Sequence, residues 1–344
     1  MSGWRARLGC LLVLIIALGV GPRVAGAQDD FYRGKTIRIV VGFSAGGGFD
    51  TYSRLLARHI GRHIAGNPAL IVENMPGAGS LIAANHVYKV ARPDGLTIGH
   101  FIGGLFLGQL LGQKGVDFDT RKYEFIGAAA QERVVCALTR ASGITSLEKW
   151  MAAPTPVKLG GVAPGSSAPD NATRLLRTAL GLPIQLVTGY KGTADIRLAA
   201  EAGELAGGCW SWASMRATWQ KALDAGDVTV VLQATPRPYP DLASVPVAIT
   251  LAKTDDARRL IEVAHSEGVV ARPYALPPGT PKDRVQILRR AFQATLQDPA
   301  FLAEVEKVKL EVDPVSGEEL ERLIRALFTL EPTLVARLKT ILLE

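Results

Sequence analysis

The sequence predicts an α/β protein of two lobes, each a mainly parallel sheet flanked by helices, and three observations predict it. First, a β-branched run at 37–41 reads as a buried strand, passes through Gly46, Gly47 and Gly48, and enters a helix. On that helix Tyr52, Leu55, Leu56, Ile60 and Ile64 fall at helical spacing. Second, the same strand, small-residue loop and helix recur at 69–90, 157–180 and 184–202, two copies in each half of the chain. Third, strand and helix alternate along most of the sequence, which favours parallel pairing with ligands at the carboxyl ends of the strands.

Taken in order, the apolar run 69–73 is a second strand, leading through Asn74 to Gly79 into a helix at 81–90 that Ser80 is placed to cap. Arg92-Pro93-Asp94-Gly95 is a turn and 96–102 a third strand. Strands are expected at 125–130 and 134–139, then a short helix capped by Ser146. The crossing between lobes is set near Gln131. The strand at 157–162 runs into a loop carrying Ser166, Ser167 and Ala168, and Leu175, Leu176, Ala179 and Leu180 mark the helix after it. The strand at 184–187 exits through Gly189 to Gly192, with Thr193 placed to cap the helix that follows. Runs at 205–212 and 228–234 read as strands, and the proline-rich 236–246 suits a return crossing. A strand at 269–275 precedes helices at 285–296, 302–308 and 316–343, with Pro281 in the first turn of one and a break at Asp298-Pro299.

The first 27 residues carry the marks of a secretory signal: Arg5 and Arg7, an apolar stretch at 8–20, and Ala25-Gly26-Ala27 as a cleavage site. The apolar stretch is shorter than a membrane span. Cleavage lowers the net charge from +7 to +4 and leaves 317 residues, enough for two domains in one chain: 28–130 with 249–344, and 131–248. A mild, diffuse basic excess suits anionic small molecules and argues against nucleic acid, which needs a concentrated basic face. Cys136 and Cys209 remain after cleavage; both lie in apolar, strand-like runs, so buried free thiols are expected rather than a disulfide.

Uncapped amides at helix N-termini favour negative charge, and glycine lets an anion approach them. The glycine loops therefore read as halves of a carboxylate cleft, with Asp50 orienting the first loop by accepting its backbone N–H groups or complementing the helix dipole. Lys191 adds charge to the site or faces solvent, and Tyr190 offers its hydroxyl or packs the wall. His59 and His63 have the i, i+4 spacing of a metal pair, yet no third ligand is evident and a solvated helix face is the reading. Trp210, Trp212 and Trp219 are read as core. No G-x-S-x-G, C-x-x-C or P-loop is present, and Gly77 to Ile82 matches a dinucleotide fingerprint only faintly. No cofactor or metal is expected.

Several motifs carry a family resemblance: Lys35 to Val41 with Gly46-Gly47-Gly48-Phe49-Asp50, Val72-Glu73-Asn74-Met75-Pro76-Gly77-Ala78-Gly79, Pro93-Asp94-Gly95-Leu96-Thr97, Gly189-Tyr190-Lys191-Gly192, and Pro278-Gly279-Thr280-Pro281. Together they resemble the extracytoplasmic substrate-binding proteins of tripartite tricarboxylate transporters, the Bug proteins. The resemblance implies a two-lobed periplasmic binding protein fold of type II that closes on a carboxylated ligand. It implies that loop amides, hydroxyls and bridging waters, rather than an arginine clamp, hold the carboxylate. Carried onto this chain, the contacts come from Phe43, Ser44, Ala45, Gly46, Gly47 and Gly48; from Gly77, Ala78, Gly79 and Ser80; from Ser166, Ser167 and Ala168; and from Tyr190, Lys191, Gly192 and Thr193. Ser44-Ala45 and Asp170 depart from the family pattern. The expectation is a monomeric periplasmic receptor that hands a small organic acid to membrane permease subunits. A secreted α/β enzyme or a soluble sensor for carboxylated molecules is the alternative, the first lacking a nucleophile–base pair.

Overall fold

A computed structural model describes residues 31–163 and 168–343. The signal segment 1–27, Ser166 and Ser167 lie outside the described residues. The first sheet is centred on β1 (Thr36–Val41), whose Ile37, Ile39, Val40 and Val41 are fully buried because helices cover both of its faces. β2 (Ala69–Asn74) and β3 (Thr97–His100) pair with it in parallel, and α1 (Gly48–His59) and α2 (Leu81–Lys89) make the crossovers. α3 (Gly104–Leu110) and β4 (Glu124–Ala128) follow, and the chain then leaves this sheet.

The second sheet begins with β5 (Val134–Thr139). It continues through α4 (Leu147–Met151), β6 (Val157–Gly160), α5 (Ala168–Leu180), β7 (Ile184–Val187), α6 (Thr193–Glu201), β8 (Gly207–Ser211), α7 (Trp212–Asp224) and β9 (Val228–Ala234). After α8 (Asp255–Val269) the chain returns to the first sheet as β10 (Pro273–Leu276), and α9 (Lys282–Gln297), α10 (Pro299–Lys307), β11 (Val315–Ser316) and α11 (Gly317–Leu327) complete it, while α12 (Pro332–Leu343) packs on α5. The strand orders are β11-β4-β10-β3-β1-β2 and β7-β6-β8-β5-β9.

Both sheets are mixed. Parallel pairing holds for β2-β1-β3 and β7-β6-β8, which the crossover helices link, whereas β4, β5, β9, β10 and β11 pair antiparallel. The antiparallel strands include β4, β5, β9 and β10, those nearest the two passages of chain between the sheets. α8 packs against α5 through Leu260, Ala264 and Leu175, so it keeps company with the second sheet.

The strands and helices of all four strand–loop–helix units form where the sequence places them, residues 164–167 of the third loop lying outside the described residues. Ser146 caps α4 and Ser316 caps α11 through their hydroxyls. Ser80 and Thr193 do not cap. The Ser80 hydroxyl instead accepts from the Ile102 N–H at 3.0 Å, and Gly192 takes the cap position of α6 with no side-chain acceptor. The helix expected at 316–343 is two, because Pro332 opens a new one. α3, α7 and α8 have no counterpart in the sequence reading: α3 is apolar nearly all round, and α7 follows directly on the strand-like run 205–212.

Cys136 and Cys209 form a disulfide, contrary to the expectation of free thiols. They are direct partners in the β5–β8 ladder, with Cα atoms 4.0 Å apart, a juxtaposition that a separation of 73 residues hides. His59 and His63 are likewise not on a solvated face. His59 is buried with Nε2 3.0 Å from Glu304 Oε1, and His63 Nε2 bonds Asp298 at 2.8 Å, so they dock α10 and the residue before it. Trp210 and Trp219 stack in the core with centroids 5.5 Å apart; Trp212 is buried beside them in sequence and donates Nε1 to Asp241. Among the described residues no helix is long and apolar enough to cross a membrane.

Candidate functional site: a cleft between the two sheets

The loops at the carboxyl ends of β1, β6 and β7 meet across one gap. The β1–α1 loop is fixed from its own lobe. Asp50, in the first turn of α1, accepts the Gly46 N–H at 2.9 Å and the Asn74 side chain at 3.0 Å, while Arg54 reaches both Asp50 and Asn74. Asn74, at the end of β2, also donates to the Phe43 carbonyl. Burial pushes the Asp50 carboxyl up, but hydrogen bonds from Arg54, the Gly46 amide and Asn74 outweigh it and hold it below its usual range. Asp50 thus orients the loop and complements the dipole at once.

The opposite lobe repeats the arrangement. Asp170, in the first turn of α5, is fully buried and accepts the Val162 and Ala163 N–H groups at 2.6 and 3.2 Å. An acid one turn into the helix shapes the loop before it, in both lobes.

Between the lobes the approach is close. Ser44 N–H donates to the Lys191 carbonyl at 3.2 Å and its hydroxyl donates to Asp195 Oδ2 at 2.5 Å. A Cβ on Gly48 would lie 1.9 Å from Ser214 Oγ, and one on Gly192 2.8 Å from Ser44 Oγ, so any larger residue would have to displace these serine side chains. Gly47 is the N-cap residue of α1 and Gly192 that of α6, and neither N-terminus has a side-chain cap. Two uncapped helix ends thereby face one another, the arrangement that receives an anion.

A small cavity remains between them. Phe43, Gly47, Gly48 and Thr193, all expected in the site, line it with Phe49, Ile102, Glu132, Val162, Pro169, Ser214 and Arg272. The structure brings the remaining expected residues less close. Ala45 and Gly46 are exposed at the rim, and Lys191 is exposed and reaches Ser44 only through its carbonyl. Tyr190 is half-buried. Gly77, Ala78, Gly79 and Ser80 flank the β1–α1 loop, where Gly42 and Ser80 pack together, but do not line the cavity. Ala168 opens α5, and Ser166 and Ser167 fall outside the described residues.

Arg272 is the residue that the sequence reading missed. It sits just before β10, 3% exposed, and Nη2 donates to Ser214 Oγ at 2.8 Å and to Glu132 Oε1 at 3.2 Å. Its guanidinium lies over Phe49 and Tyr52 at 4.6 and 5.2 Å from the ring centres. Burial raises the Glu132 carboxyl above its usual range, against the pull of Arg272. His100, buried between Phe49 and Tyr274, is held well below its ordinary value by burial and then by the Arg272 charge, so it stays neutral. The signal was present: one cation inside the apolar run 269–275. Among the described residues no group of three or more His, Cys, Asp or Glu side chains is placed to hold a metal.

This geometry has known relatives. Residues 53–339 match the model of the tripartite tricarboxylate transporter family receptor. A UPF0065 protein of Cupriavidus necator is 43% identical over 82 residues, 24% of each chain, and one of Bordetella bronchiseptica is 26% identical over 164 residues, 47% of each. The chain thus aligns with about a quarter to a half of the length of these curated relatives. Among solved structures, the periplasmic binding protein BugD superposes with a TM-score of 0.72 at 22% identity, covering 90% of this chain and 98% of BugD. MatC from Rhodopseudomonas palustris with bound malate superposes at 0.69 and 19% identity, covering 89% and 98%. These last two establish the two-lobed periplasmic binding fold. With the family model matched over most of its length, the chain belongs to the tripartite tricarboxylate transporter receptor family.

Proposed function

We propose that this protein is a periplasmic solute-binding receptor that captures a small organic acid between its lobes and delivers it to the membrane subunits of a tripartite tricarboxylate-type transporter. The observation that carries the reading is the pair of uncapped helix N-termini, of α1 and α6, facing each other across one gap. The site residues expected from the sequence, from Phe43 to Gly48 and from Tyr190 to Thr193, belong to those two loops. The lobes are taken as 28–130 with 249–344, and 131–248; the packing of α8 on α5 draws the return crossing toward residue 270. Binding is read as closure of the lobes, with the ligand recovered unchanged and the closed surface offered to the permease. Malate bound to MatC supports a carboxylate ligand.

A thermal-shift screen with mono-, di- and tricarboxylates tests the reading. A carboxylate that raises Tm in a concentration-dependent way, and is recovered intact, is expected. Turnover of the added acid sinks the receptor reading in favour of an enzyme.

A further inference from the structure

Arg272 has more donors than partners. Its contacts with Ser214 and Glu132 use Nη2, while Nη1 and Nε have no hydrogen-bond partner among the described residues. Idle donors on a guanidinium buried to this degree are costly, and the cost is relieved when an acceptor enters. The place for an acceptor lies beside it. Nη1 is 3.4 Å from where a Cβ on Gly48 would stand, and Arg272 lines the same cavity as Gly47, Gly48 and Thr193. The Glu132 carboxylate and the faces of Phe49 and Tyr52 hold the guanidinium in place. The rest of the described lining is largely apolar: Phe43, Phe49, Ile102, Val162 and Pro169.

We infer that Arg272 is a ligand-binding residue, its Nη1 donating to one carboxylate of an acid whose remaining body is apolar and lies against Phe43, Phe49, Ile102, Val162 and Pro169. The role rests on the receptor reading above and sharpens it. The uncapped helix ends supply dipoles and amides, while Arg272 supplies the one formal positive charge within the described lining. The idle Nη1 discriminates against an uncharged isostere, because its charge-assisted bond to a carboxylate oxygen is stronger than one to a carboxamide oxygen.

Isothermal titration calorimetry of the full chain with hexanoate, adipate and benzoate, each beside its carboxamide, tests this. The variants are Arg272→Gln, the pair Glu132→Gln with Arg272→Gln, and Arg272→Lys. The double variant removes both buried charges together, so neither is left unpaired in the core. Expected is a loss of roughly 10- to 100-fold in carboxylate affinity in the Gln variants, with partial recovery in the Lys variant. The preference for acid over amide falls toward one in the Gln variants. A folded double variant that keeps wild-type affinity and preference overturns the role of Arg272 alone. Wild-type protein that binds none of these apolar-bodied acids overturns this inference, while failure of every carboxylate in the thermal-shift screen overturns the receptor reading beneath it.

Discussion

The Ser44 hydroxyl, on the β1–α1 loop, donates to Asp195 Oδ2, in the first turn of α6, at 2.5 Å across the gap between the lobes. The Ser44 N–H reaches the Lys191 carbonyl of the same opposite loop. These contacts exist only when the lobes are together, so they act on the closed form and not on either lobe. Ser44→Ala should speed dissociation of a bound carboxylate several-fold, in line with about 1 kcal/mol for one hydrogen bond, and leave Tm nearly unchanged. Stopped-flow dissociation kinetics beside a melting curve separate the two effects; an unaltered off-rate removes the latch.

Gly47→Val tests the loop itself. Gly47 has φ of −87°, open to any residue, so no backbone strain follows. A Cβ there would lie 3.2 Å from Thr193 Oγ1, and the larger valine side chain opposes closure. Affinity for a carboxylate should fall by roughly 10-fold or more, as for about 1.4 kcal/mol lost, with little change in stability. Wild-type affinity in this variant places the loop outside the site.

Asp50 and Asp170 shape the two facing loops, and removing either leaves loop amides without acceptors. Asp170→Ala should cost about 1–3 kcal/mol, the penalty for buried donors left unpaired. For Asp50, whose folded carboxyl lies below its usual range, the stabilising contribution is present above the unfolded value and is lost as pH falls through the folded one. Asp50→Asn should therefore lower stability at neutral pH and matter little in acid. Urea melts at both pH values check the sign.

The Cys136–Cys209 disulfide closes a loop of 73 residues in sequence. Reduction or Cys136→Ser should destabilise by about 2–4 kcal/mol through the freed unfolded chain, with ligand affinity preserved because the bond lies within the second sheet. A chemical denaturation midpoint unmoved by reductant contradicts the pairing.

Glu267, near the end of α8, is pushed up to about 8 by burial; Asn171 donates to it and Glu132 adds a like charge. Its folded pKa is raised, so the native state binds this proton more tightly than the unfolded chain does. The stability it confers is full below the unfolded value of about 4.5 and declines as pH rises toward 8. Glu267→Gln should gain Tm relative to wild type across that window and level off above it. A difference that is flat with pH rejects the assignment.

The four strand–loop–helix units were legible because each is local: a β-branched run, small residues and a helical period all lie within about 30 residues. The helix caps were less so: Ser80 has φ of 68° rather than the extended backbone of a capping serine, and its hydroxyl is taken by the Ile102 N–H from 22 residues on. Arg272 was visible as a cation in an apolar run, but nothing nearby in sequence marked Glu132, 140 residues earlier, or Ser214 as its partners.

By itself, then, the sequence determined the alternating elements, the glycine corners and the role of Asp50 in shaping the first of them, because propensity, periodicity and turn chemistry act over a few residues. The tertiary structure decided which corners share a gap, that both sheets are mixed, that Cys136 meets Cys209, and that a buried arginine stands at the cleft floor. Those are outcomes of register and of crossings between lobes, which bring residues together across more than seventy positions where no local pattern reaches.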